Sequence, residues 1–201
     1  MGEPVDWIAL PVSEEVEAKG GEASMGDSVN RFGIRSATEQ DLPDILGIYN
    51  HAVLHSVATA DYEPQTLEAR SVWYTERTKA GFPIFVAEER TSGEVVGWSA
   101  YGPYHNRYGY RFTVENSVYV SNDWRGQGIG KLLLPPLVEH ATAGGYHSII
   151  ASIDGSNAAS IRLHAAFGFE EVGRIREIVY KFDRWLDVVY MQRMLGERAP
   201  A

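Results

Sequence analysis

The chain reads as a mixed α/β domain, and three features of its sequence say so. Strand-like and helix-like segments alternate from Gly33 onward. The early strands follow one another through short turns, which makes a long antiparallel start. Midway, the strand-like run Ser117 to Val120 enters Arg125-Gly126-Gln127-Gly128-Ile129-Gly130-Lys131 and then Leu132-Leu133-Leu134: a strand, a glycine-rich turn and a helix start.

Each element has a local cause. A short strand over 34–37 leads to Thr38, with Asp41 three residues on, an N-cap pattern that opens a helix through Ile45, Ile48, Tyr49 and Ala52. A second helix is predicted from Thr66 or Leu67 to Lys79. The segments 84–88 and 95–101, joined by Thr91-Ser92-Gly93, read as a hairpin, and 112–120 as the next strand. After the glycine turn come a helix to about Ala143, a strand over 147–153, and a short helix from Ala158 or Ala159 to Phe167. Strands over 169–174 and 186–195 close the sheet. Pro135-Pro136 lies about two turns into the helix after the glycine turn, where proline lacks an N–H and crowds the preceding turn, so a kink or break is expected there.

At 201 residues the chain has room for one substantial core. Residues 1–32, rich in Gly, Glu and Ser, read as a poorly ordered extension, and 33–197 as the single domain. No run of about 18 apolar residues exists and the N-terminus lacks the basic-then-apolar order of a signal peptide, so a cytoplasmic protein without membrane contact is expected. Zero cysteines exclude a thiol nucleophile, thiolate-bound zinc and disulfides. A formal charge of −9 without any Lys/Arg cluster argues against a nucleic-acid partner, whose phosphates need neutralising. His51 and His55 are four apart on the first helix, but the protease motif would need Glu where Ala52 stands, and no metal is expected.

The glycine turn has the chemistry of an anion site. Glycines at alternate positions remove the β-carbons that would hold a ligand off the backbone, and N–H groups opening a helix have no internal acceptors, so a pyrophosphate fits there. The other reading is a tight turn with no ligand. A Walker loop would need Gly at 125 and Ser or Thr at 132, where Arg125 and Leu132 stand. The dinucleotide fingerprint fails because its third glycine would fall on Lys131 or Leu133.

Arg125, Gly128 and Gly130 instead match the Arg/Gln-x-x-Gly-x-Gly/Ala pattern of the GNAT acetyltransferases. The chain resembles one branch of that family closely, the phosphinothricin and methionine sulfone or sulfoximine acetyltransferases. The stretches that carry the resemblance are Thr113-Val114-Glu115-Asn116-Ser117-Val118-Tyr119-Val120, Ser156-Asn157-Ala158-Ala159-Ser160, Leu163-His164-Ala165-Ala166-Phe167-Gly168-Phe169 and Lys181-Phe182-Asp183-Arg184-Trp185-Leu186-Asp187. Ile34-Arg35, Asp41-Leu42-Pro43 and Ile48-Tyr49-Asn50 fit too, so everything after the extension is covered. The resemblance implies the GNAT acyl-CoA N-acyltransferase fold and acetyl-CoA as co-substrate. It also implies an acceptor that is the α-amine of a small amino acid or an analogue, attacking directly in a ternary complex, and a homodimer.

An amine must be neutral to attack a thioester, so something must take its proton. Alternation puts Glu115 on the same strand face as Ser117 and opposite Asn116. Read alone it is a carboxylate on an exposed strand face; the resemblance makes it the general base, acting directly or through a water. His164 on the short helix is a packed core histidine on its own terms. The resemblance makes it the second catalytic candidate, protonating the departing thiolate or orienting the amine. By the same resemblance the backbone of Val118, Tyr119 and Val120 pairs with pantetheine like an added strand, and Arg125, Gly126, Gln127, Gly128, Ile129, Gly130 and Lys131 hold the pyrophosphate. Asn157, otherwise a plain N-cap, bonds the pantetheine arm, with Ser160 one turn on. The acceptor pocket is assigned to His105, Asn106 and Arg107 with Glu115, Asn116 and Ser117. Relatives that take methionine sulfone tend to have Arg-Pro-Phe in place of His105-Asn106-Arg107, so this loop departs from the pattern. Arg107 and Arg111 either pair with an α-carboxylate or sit solvated at the surface. Trp185 and Asp187 belong to a region that in relatives lies near the acceptor site and a dimer contact. The rival readings are an acetyltransferase for a protein, peptide, polyamine or aminoglycoside amine, a CoA-binding regulatory module without turnover, and a different nucleotide-binding protein.

Overall fold

The computed structural model describes residues 31–196. Its elements, in chain order, are β1 (Phe32–Ser36), α1 (Leu42–His55), α2 (Leu67–Lys79), β2 (Ile84–Glu89), β3 (Val95–Pro103), β4 (Thr113–Val120), α3 (Ile129–Ala143), β5 (Ser148–Asp154), α4 (Ala158–Ala166), β6 (Glu170–Lys181) and β7 (Arg184–Met194). The first 30 residues of the expected extension lie outside the described ones. Phe32, expected at its end, is buried and begins β1.

The strands form one seven-stranded sheet in the order β1-β2-β3-β4-β5-β7-β6. All neighbours are antiparallel except β4 and β5, which run parallel because α3 carries the chain across between them. Helices cover both faces, so β3 near the middle is buried along its length up to Pro103. On one face α1 packs Leu42, Ile45, Tyr49 and Val53, spaced at helical period, onto Ile84, Val86, Trp98 and Ala100. On the other, α3 packs Leu134, Leu137 and Ala141 onto Tyr101, Val114 and Ile149.

Local chemistry sets the element ends. Asp41 accepts from the Thr38 N–H at 2.7 Å and from its hydroxyl at 3.0 Å, which fixes a single 3₁₀ turn, Glu39–Asp41, that feeds α1. Thr66 caps α2 by accepting from the Ala69 N–H. Phe182 and Asp183, both at positive φ, make the two-residue hairpin turn between β6 and β7. β6 runs to Lys181, well past the expected end at Arg174. A bulge after Ile175, with Glu177 at φ 52°, breaks the alternation by which a strand is read from sequence.

The proline pair does not break its helix. α3 is continuous from Ile129 to Ala143 with both prolines inside it. Lys131 and Leu132 cannot receive their usual i+4 hydrogen bonds, yet Ile129, Leu133, Leu134, Leu137, Val138 and Ala141 are all buried along one stripe. Each of the five larger side chains, Ala141 aside, contributes about 1.5–3 kcal/mol by burial, and together they outweigh two lost backbone bonds.

Candidate active site

β4 pairs with β3 along its whole length, from Val114 opposite Pro103 to Val120 opposite Gly97. Its pairing with β5 stops after three residues: Thr113 with Ser148, Val114 with Ile149 and Glu115 with Ile150. Beyond that point the two strands separate. The edge of β4 from Asn116 to Val120 is left facing a cleft, with backbone groups free to take an extended ligand arm as one more strand.

A cavity of about 70 Å³ occupies this cleft. Asn116, Ser117, Val118 and Tyr119 form one wall, and Ala151 to Asp154 of β5 the other. Asn157, Ser160 and His164 of the α4 region close one end, and Ala58 reaches in from the α1–α2 connection. Seven residues assigned from sequence therefore meet at one place.

The glycine turn adjoins it. Gly126 and Gly128 have φ of 79° and 81°, a region where L side chains are strained, and Gly128 stands immediately before the first residue of α3. A β-carbon on Gly130 would lie 2.9 Å from Leu163 Cδ2, so this glycine lets the start of α3 approach α4. Asn157 is the N-cap of α4, its amide oxygen accepting from the Ser160 N–H at 3.1 Å.

Glu115 sits where the strands part. It is half-buried, and its Oε1 accepts a 2.6 Å hydrogen bond from Ser152 Oγ on β5. His164 is 3% exposed, and both its ring nitrogens are engaged. Nδ1 lies 2.8 Å from the Ser160 carbonyl oxygen and Nε2 lies 3.0 Å from Asn116 Nδ2. Burial pushes the imidazole below its ordinary value, with the Ser160 carbonyl opposing, so the neutral ring is the form present near pH 7. A neutral ring whose nitrogens are both bonded within the protein is poorly placed to protonate a thiolate.

The loop between β3 and β4 stays apart from the cavity. His105, Asn106 and Arg107 are exposed, and none of them lines the cavity; His105 stacks on Tyr110 at 5.0 Å between centroids. The Arg111 guanidinium lies over the rings of Tyr108 and Phe112, at 4.2 and 4.3 Å from their centroids. Among the described residues no group of three or more His, Asp or Glu could hold a metal ion, and no helix is long and apolar enough to cross a membrane.

Two residues to which the sequence assigns no role shape the site. Ser152 is one. The other is Lys181, 1% exposed, whose ammonium donates to the carbonyls of Ser56 at 3.0 Å and Thr59 at 2.8 Å. With Tyr49 donating to Asp61 at 2.5 Å and Asn50 bonded both ways to Gln65, it pins the α1–α2 connection beside the cleft. For Ser152 the available signal is its alternation with Ser148 and Ile150, which puts it on the Glu115 face. For Lys181 no sequence signal marks burial.

The family model of the acetyltransferase (GNAT) domain matches residues 34–190, which span the strand fork, Glu115 and the glycine-rich helix start. The chain belongs to the GNAT acetyltransferases. The L-methionine sulfoximine/L-methionine sulfone acetyltransferase of Pseudomonas aeruginosa is 46% identical over 159 residues, covering 79% of this chain and 92% of that protein. The phosphinothricin N-acetyltransferase of Alcaligenes faecalis is 37% identical over 164 residues, covering 81% and 82%. Among solved structures, an acetyltransferase from Salmonella typhimurium with its cofactor acetyl-CoA superposes with a TM-score of 0.82 at 40% identity, covering 85% of this chain and 98% of that one. The protein is thus an acetyl-CoA-dependent N-acetyltransferase, and the unpaired β4 edge together with the two positive-φ glycines fits that co-substrate.

Proposed function

We propose that this GNAT enzyme moves acetyl from acetyl-CoA to the α-amine of a small amino acid or analogue, such as methionine sulfoximine, methionine sulfone or phosphinothricin, by direct attack in a ternary complex. The observation that carries this is the position of Glu115, half-buried at the fork of β4 and β5 with one carboxylate oxygen held by Ser152. The names of the two relatives supply the substrate class.

Bound acetyl-CoA supplies an activated acetyl group. The chain supplies the rest. The turn from Arg125 to Lys131 holds the pyrophosphate with backbone N–H groups, and Val118, Tyr119 and Val120 align the pantetheine arm along the free strand edge. Asn157 and Ser160 bound that arm from α4. Glu115 takes the proton of the attacking amine, directly or through one water, a role worth roughly 10²–10⁴ in rate. N–H groups fixed along β4 stabilise the negative charge that develops on the carbonyl oxygen. The acceptor is assigned to the Glu115 side of the cleft, toward the exposed loop of His105, Asn106 and Arg107, with Arg107 or Arg111 to pair with an α-carboxylate.

The enzyme works as a homodimer in this reading. Val172, Ile175, Ile178, Tyr180, Phe182 and Trp185 are all exposed on the β6–β7 arm, an apolar surface that a second copy would cover. Sedimentation of the full chain should give twice the 22.3 kDa chain mass, and Trp185→Glu should return it to one.

The deciding experiment is free-thiol release from acetyl-CoA against phosphinothricin, methionine sulfoximine, methionine sulfone, the common amino acids, spermidine and a lysine peptide, with Glu115→Gln in parallel. Turnover of the small amino acids that is lost in the variant supports the reading. Turnover of the peptide or spermidine alone, or acetyl-CoA binding without turnover of any, defeats it.

A further inference from the structure

We propose that Asn116 presents its amide oxygen as a hydrogen-bond acceptor to a ligand N–H in the cleft between β4 and β5, and that His164 is a positioning residue that fixes which end of that amide faces the ligand. This rests on placing the acyl-CoA arm and the amine in that cleft.

The argument begins at the Ser160 carbonyl. It can only accept, so the hydrogen on His164 must sit on Nδ1, 2.8 Å away. The Ser160 hydroxyl is a longer contact to the same nitrogen, at 3.4 Å. With Nδ1 protonated and the ring neutral, Nε2 carries a lone pair, and the group 3.0 Å from it must donate. That group is the Asn116 NH₂. The amide orientation is thereby determined by chemistry: nitrogen toward the histidine, oxygen away from it.

The oxygen is then left over. Asn116 is 7% exposed, and its Oδ1 is buried without a hydrogen-bond partner in the protein. Asn116 and His164 both line the cavity. A buried acceptor without a donor is costly, and protein interiors rarely keep one without a use for it. A ligand N–H arriving in the cleft would satisfy it. Two such donors belong to the reaction: an amide N–H of the pantetheine arm and an N–H of the attacking amine.

The test measures CoA affinity by calorimetry and the KM for methionine sulfoximine on wild type, Asn116→Leu, Asn116→Ser and Gly128→Val. A loss of CoA affinity of about tenfold in the Asn116 variants identifies the pantetheine amide as donor. Unchanged CoA affinity with a KM for methionine sulfoximine raised by a similar factor identifies the amine. A folded Asn116 variant with neither change overturns the proposal. Gly128→Val binding CoA as wild type does would instead sink the placement of the arm, and the proposal with it, and is distinguishable because it does not involve Asn116. On wild type, ¹⁵N spectra assigned by difference against His164→Gln should show Nδ1 protonated and Nε2 bare. A proton on Nε2 would reverse the amide and refute the argument even if every Asn116 variant failed to fold.

Discussion

Ser152 Oγ donates a 2.6 Å hydrogen bond to Glu115 Oε1 across the point where β4 and β5 part. The bond occupies one carboxylate oxygen and fixes the rotamer, so in the mechanism we propose the other oxygen is the one that receives a proton from the amine. Glu115→Gln, which keeps the shape and removes the base, should lower kcat by roughly 10²–10⁴. Ser152→Ala should lower kcat by about tenfold, since it removes a single orienting bond to a charged group. Neither substitution should weaken CoA binding. Steady-state thiol release beside calorimetry separates the two effects, and full kcat in Ser152→Ala would remove Ser152 from the site.

The proline pair in α3 has a measurable cost. Pro135 and Pro136 leave the Lys131 and Leu132 carbonyls without i+4 donors, in a helix whose start bears the residues assigned to pyrophosphate. Pro135→Ala and Pro136→Ala each supply one donor, and each should stabilise the protein by about 1–3 kcal/mol in chemical denaturation, less any strain from refitting the turn. Loss of stability in both would mean that the half-buried pyrrolidine rings contribute more by packing than the missing bonds cost.

Much of this architecture is legible in the sequence because its causes are local. The bounds of α2 follow from the Thr66 cap, and the glycine turn stands out because residues at positive φ leave a compositional mark. α3 ends at Ala143 as its apolar stripe predicts. What is not legible depends on partners distant in sequence. Alternation gives the face on which Ser152 stands, but only the β4–β5 register shows that a carboxylate 37 positions earlier lies beside it. Lys181 looks like a surface lysine, and only the α1–α2 connection folded over it makes it a buried clamp. His164 is found by its motif, but only the folded chain shows that Ser160 and Asn116 engage both its ring nitrogens.

That clamp gives a third prediction. Lys181→Met keeps the length of the side chain and removes the ammonium that binds Ser56 and Thr59. The variant should lose about 2–3 kcal/mol of stability, the value of charge-assisted bonds in a buried setting. Because Ala58 lines the cleft, the KM for the amine or for acetyl-CoA should rise as well. Limited proteolysis reads the consequence directly: cleavage should concentrate between residues 56 and 65. Cleavage no faster there than in wild type would show that Tyr49 and Asn50 hold the connection without it.

The last prediction concerns acid. His164 and His140 are both held below the ordinary histidine value of 6.5, in each case chiefly by burial. His140 on α3 has its Nδ1 2.6 Å from the Tyr101 hydroxyl, and His164 on α4 packs edge-on against Phe169. When the folded-state value is lowered, the unfolded chain binds more protons between that value and about 6.5, so stability must fall as pH falls through this window and level off above it. Each histidine contributes up to about 1.4 kcal/mol per pH unit inside the window. The melting temperature should therefore be flat above about pH 7 and drop from there toward pH 5, before carboxylates such as Asp41, whose partner Arg35 holds it below the usual range, begin to titrate. His164→Gln and His140→Gln should each lessen that slope, and the double variant should do so additively, because the two rings share no hydrogen bond. A slope unchanged in the double variant would assign the acid sensitivity to other groups and require that both rings take up their protons in the folded protein at the same pH as in the unfolded chain.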